Sequence, residues 1–116
     1  MAQVTRRKLS ASTDGQPVLV TATATPGTLI HTSVTGTTAG TWDEIWLYLH
    51  NNAASDVLAT IELGTASNAV FIKIPFQQGR FLVLDGAILQ NAGILRVFAA
   101  TGSVIAATGY VNAITA

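Results

Sequence analysis

The chain is built from short apolar segments that alternate with polar residues at a period of two, separated by glycine, proline and asparagine almost from end to end. A period of two sends successive side chains to opposite faces of an extended strand, so such a chain buries its apolar residues by stacking sheets rather than by packing helices. The clearest segment is Asp43 to Asn51, where Ile45, Leu47 and Leu49 alternate with Trp46, Tyr48 and His50. One face of this strand is aliphatic and predicted to be core, and the other is aromatic and amphipathic.

The same reading extends along the chain. After Pro17, Val18 to Ala24 reads as a strand because β-branched residues dominate it, Pro26-Gly27 supplies a turn, and a second strand runs from Thr28 to Val34. Thr35 to Thr41, with two glycines, four threonines and no large apolar side chain, reads as a loop. Asn51-Asn52 through Ser55 is expected to turn the chain back. Val57, Ala59, Ile61 and Leu63 then share a face opposite Thr60 and Glu62, in a hairpin with the preceding strand. Gly64 to Asn68 closes that strand, and Val70 to Phe76 follows, with Pro75 marking a strand end or an edge. Arg80 to Leu84, Ala87 to Leu89, Ile94 to Ala99 and Val104 to Val111 complete the set, with Asp85-Gly86, Asn91 to Gly93 and Thr101-Gly102 as turns.

No window carries a 3.6-residue apolar period with caps, so little helix is expected. The predicted fold is all-β: an antiparallel β-sandwich, jelly-roll-like, of eight or nine strands. Residues 13–116 form this single domain, and residues 1–12 precede it as a basic N-terminal arm.

A chain of 116 residues supports one two-layer core. Only 10% of its residues are charged against 49% hydrophobic, so little of the surface is strongly solvated and part of it is expected to be covered by partners. The formal net charge of zero removes the electrostatic footprint of nucleic-acid binding, and no nucleic-acid partner is expected. That zero conceals an asymmetry: Arg6, Arg7 and Lys8 lead the chain, and from Ser10 onward three basic residues face six acidic ones, a net of −3. With no cysteine, stability must come from packing. Neither a secretory leader nor a membrane anchor is expected, since no apolar stretch has the length for either.

Chemistry-bearing patterns are sparse. His31 and His50 sit in no ligand-spaced motif and read as structural or interface residues. There is no Asp-x-Asp-x-Asp run, and the adjacent pair Asp43-Glu44 points to opposite faces of a strand, where it is expected to solvate the strand's start. Nucleophile elbows, phosphate-binding loops and dinucleotide fingerprints are absent, so no enzyme, metal or cofactor is expected. Trp42, Trp46 and Tyr48 admit two readings: a stacking platform for sugar rings, for which Trp46 and Tyr48 have the spacing, or a subunit contact. Arg6, Arg7 and Lys8 are either a solvated tail or an arm that reaches an acidic partner, with Val4 and Leu9 as β-friendly flanks.

Several segments give the chain a resemblance: Ala2-Gln3-Val4-Thr5, the Thr25-Pro26-Gly27-Thr28 turn ahead of Ile30-His31-Thr32, Trp42 to Tyr48, Val97 to Ala100 and Gly109 to Asn112. In these it resembles small structural proteins of tailed bacteriophages, encoded among the head genes and serving as capsid decoration, cement or minor head components. The resemblance implies a non-enzymatic virion protein on the capsid exterior, assembled in the host cytoplasm, with the major capsid protein as partner and no cofactor. A lattice component gains affinity by multivalent contact, which suits a charge-poor surface. Cyclic symmetry is the usual arrangement, and a homotrimer is favoured, with a monomer or other ring as alternatives. Two other readings are a tail- or fibre-associated glycan-binding module using Trp46 and Tyr48, and a head-tail connector or tail subunit.

Overall fold

The computed structural model describes residues 2–65 and 69–116, and among these there is no helix. Among the described residues nine strands follow one another: β1 (Gln3–Lys8), β2 (Val18–Val20), β3 (Thr28–Thr32), β4 (Trp42–Asn51), β5 (Val57–Gly64), β6 (Ala69–Ile74), β7 (Arg80–Leu89), β8 (Ile94–Ala99) and β9 (Ile105–Thr115). They form two antiparallel sheets. The first has the order β1-β9-β4-β7, with β2 alongside the other half of β9; the second has the order β3-β8-β5-β6. From β2 to β9 every connection crosses from one sheet to the other except β5 to β6. This is the strand order of a jelly roll, and the predicted fold class is the observed one.

The alternation read from the sequence is the alternation of burial. In β4 every second residue is buried, with Ile45, Leu47 and Leu49 fully inside and Trp46, Tyr48 and His50 on the outer face. With Ile105 and Val111 of the neighbouring β9 the three aliphatic residues form one cluster with Ala59 and Ile61 of β5 and Leu95 and Val97 of β8 in the opposite sheet. Strand β6 ends at Ile74, ahead of Pro75, and lies at the edge of its sheet, as the proline requires.

Several expectations are corrected. The predicted hairpin of Asp43 to Asn51 with Val57 to Leu63 does not form: β4 pairs with β7 and β9, and β5 with β6 and β8, so the turn between them carries the chain from one sheet to the other. Buried Asn51 fastens that crossing, its Nδ2 donating to the carbonyls of Ile74 (2.7 Å) and Ser55 (3.0 Å) and its Oδ1 accepting from the Ala53 amide (2.8 Å). Arg80 to Leu84 and Ala87 to Leu89 are one strand, because Asp85-Gly86 is a bulge rather than a turn. The register passes from Ile45↔Ala87 to Trp46↔Asp85 and leaves Gly86 unpaired at φ 90°.

The first predicted strand stops at Val20, and the last runs on to Thr115. Of the segment Gly64 to Asn68, residues 66–68 lie outside the described residues. The basic arm is itself a strand. Residues 3–8 pair without interruption along β9, from Gln3↔Thr115 to Lys8↔Tyr110, and Leu9 directly after them is a core residue.

Candidate functional site

Strand register lays the outer face of the first sheet out in rows. Val4, Ile114 and Trp42 share one row, followed by Arg6, Asn112, Glu44 and Ile88, and then by Lys8, Tyr110, Trp46 and Asp85. Beyond these lie Thr108, Tyr48 and Leu82, and finally Leu19, Ala106, His50 and Arg80. The three aromatic residues singled out in the sequence therefore stand together on one face. The structure adds Tyr110, whose ring stacks on Trp46 with centroids 6.0 Å apart and planes 14° from parallel.

The cations cap this aromatic row. The Arg6 guanidinium lies 4.5 Å from the centre of the Tyr110 ring, and that of Arg80 lies 4.7 Å from the centre of Tyr48. A guanidinium over a ring face is attracted by the ring quadrupole, so these contacts orient both partners. Arg6 thus joins the aromatic face, as Lys8 does by register, whereas Arg7 points to the other side of β1 and lines a cleft at one end of the sandwich. Tyr110 and Arg80 were missed as site residues. Outward parity of Tyr110 is legible from the alternation around buried Val111, but its pairing with Trp46 depends on strand order.

Two glycines lie against this face. Gly109 lies against β4, where a Cβ would sit 2.0 Å from the Trp46 carbonyl oxygen, so β9 approaches β4 closely at the level of the stacked rings. Gly86 lies beside the indole of Trp46, where a Cβ would come within 3.5 Å of it. The indole is therefore held between Tyr110 and the bulge of β7. Its Nε1, like that of Trp42, is buried and has no hydrogen-bond partner. An unsatisfied buried donor is rare and costly in a finished fold.

The other candidate residues serve the fold. His31 Nδ1 accepts from the Ser10 amide at 3.0 Å, which leaves Nε2 as the protonated nitrogen, donating to Asp43 Oδ2 at 2.7 Å. Ser10, His31 and Asp43 are thus together, but the Ser10 hydroxyl accepts from the Thr32 amide at 2.7 Å, and the imidazole has no nitrogen free for a substrate proton. Asp43, expected to solvate the strand's start, is instead buried by this contact, while Glu44 lies on the opposite face as expected. His50 Nε2 lies 3.3 Å from Thr108 Oγ1. Burial, and then the nearby charge of Arg80, lower its pKa below the ordinary value.

On the outer face of the second sheet, Glu62 is a buried carboxylate with both oxygens engaged: Thr25 Oγ1 donates to Oε2 at 2.6 Å and the Gly27 amide to Oε1 at 2.7 Å. Arg96 Nη1 donates to the Gly27 carbonyl at 3.2 Å and completes the anchoring of this turn. Among the described residues no group of three or more His, Asp or Glu side chains is placed to hold a metal ion. In comparisons with known proteins the chain matches no family model, no curated protein and no solved structure.

Proposed function

We propose that this protein is a non-enzymatic structural component of a bacteriophage virion, a capsid decoration or cement protein that associates with copies of itself and with the major capsid protein on the head exterior. The observation that carries the reading is the outer face of the first sheet. It presents Ile88 at 54% exposure, Leu82 at 45% and Val4 at 64% around a stacked aromatic row, with cations at its margins and two indole donors left unsatisfied. A monomer that ended at this face would leave these large apolar side chains in water. A partner surface covers them. The jelly-roll order supports the reading by fold-level analogy, since capsid proteins use it widely.

Glycan binding through Trp46 and Tyr48 is the weaker reading. A sugar stacks on a free ring face, but Tyr110 and Gly86 flank the Trp46 ring and Arg80 lies over Tyr48.

The test is to mix purified protein with expanded heads lacking it and to measure bound copies after sedimentation. Saturable binding at a fixed copy number, lost when Ile88 and Leu82 are changed to lysine, is expected. Absence of binding to every head form removes the proposal.

A further inference from the structure

We propose that the cleft at one end of the sandwich is a binding site for a small organic anion with an apolar body, a property separate from attachment to a head and independent of it. The cleft has a volume of about 650 Å³, within the range of small-molecule sites, and opens between β1 and β9 on one side and the end of β3 on the other. Its apolar wall is made by Val111 and Ala113 of β9 and by Val34. Arg7 stands on the β1 side, exposed, opposite Val111, and has no ion-pair partner among the described residues. The His31–Asp43 pair lies among the lining residues, and because Nε2 donates to Asp43 Oδ2 that carboxylate is already held by the protein.

A second observation points to a ligand. Ser33 also lines the cleft; it is 5% exposed, and its hydroxyl has no hydrogen-bond partner. Its amide is used by the Gly93 carbonyl at 2.9 Å, so the backbone is fixed while the side chain remains free to turn between staggered wells. A ligand oxygen in the cleft supplies the partner that the fold does not. The Arg7 cation, the orphan hydroxyl and the aliphatic wall together select a charged oxyanion head and a short hydrocarbon body, whether that head is a carboxylate or a phosphate.

The test is amide NMR of the full chain titrated with sodium octanoate and, separately, with octyl phosphate, octanol and octylammonium. Saturable shifts are expected at Ser33, Val34, Val111 and Ala113 with one or both anions, and these name the head group. Arg7→Glu is expected to weaken binding about tenfold, Ser33→Ala severalfold, and Lys73→Glu on the far sheet not at all. The amide spectrum of each variant also reports whether it is folded. Four outcomes overturn the site: no saturable shift, shifts spread over the outer face, equal response to octanol or octylammonium, or unchanged affinity in folded Arg7→Glu. Cleft shifts that depend on protein concentration alone also overturn it, by showing that a second copy fills the space.

Discussion

The outer faces of the two sheets are built from the same alternation but are completed differently. On the second sheet the chain's own turn around Thr25 and Gly27 closes over Glu62, so a carboxylate only 3% exposed has both oxygens satisfied from within the molecule. Phe71, Leu58 and Leu29 remain exposed there, but they surround polar groups that already have partners. On the first sheet no loop plays that part. Stacking and cations order the rings of Trp46, Tyr110 and Tyr48, while the indole donors of Trp42 and Trp46 stay unpaired. A face finished by its own chain contributes to folding, whereas a face ordered but unfinished is free to contribute to association.

The largest expected effect falls on the backbone that supports the unfinished face. Gly109→Ala places a methyl group on the Trp46 carbonyl, at a φ of 151° that side chains rarely adopt, in the centre of the first sheet. Since the obstacle is backbone rather than a movable side chain, β9 must shift against β4, at a cost above about 4 kcal/mol. Urea unfolding measures it. A loss under about 1 kcal/mol would show that the strands have slack at this point and that the stacked row does not depend on their close approach.

The next prediction sets the two faces against each other. Glu62→Ala strands the Thr25 hydroxyl and the Gly27 amide without their acceptor, and is expected to cost about 2 kcal/mol while leaving head binding at full copy number once folded. Ile88→Lys on the first sheet should do the reverse, changing stability by less than about 0.5 kcal/mol, because the residue is more than half exposed, while abolishing association. Denaturation and head sedimentation on the same two variants decide it. If Glu62→Ala weakens association as much as Ile88→Lys does, the division between the faces is wrong.

What the sequence made legible follows from the range of each signal. The alternation of Ile45, Leu47 and Leu49 with Trp46, Tyr48 and His50 is local and decides burial by itself, so core and outer face were readable. Strand partners are not local. Neighbouring strands usually pair, and that default produced a hairpin where a jelly roll crosses between sheets. Asp85-Gly86 carries the same positive-φ chemistry in a bulge as in a turn, and only pairing with β4 distinguishes them. Arg6, Arg7 and Lys8 read as a solvated tail or a docking arm because β9, which converts them into a strand, lies at the far end of the chain. The clasp of Glu62 joins groups 35 and 37 residues apart, and no spacing rule announces it.

The smallest expected effect belongs to His50, at the margin of the first sheet beside Arg80. Burial, and secondarily the Arg80 charge, lower its pKa below the ordinary 6.5, so below that pH the folded chain holds fewer protons at this site than the unfolded one. Stability is therefore complete above pH 6.5 and falls as the pH drops from there toward the lowered value. Solvent screens this partly buried site at the sheet margin, so the loss on going from neutral to mildly acidic buffer should be about a degree in melting temperature. His50→Gln, which keeps a polar group near Thr108 and removes the titration, should flatten that part of the profile. If the variant keeps the wild-type acid slope, the sensitivity arises elsewhere, and the Arg80 margin of the unfinished face is electrostatically independent of its histidine.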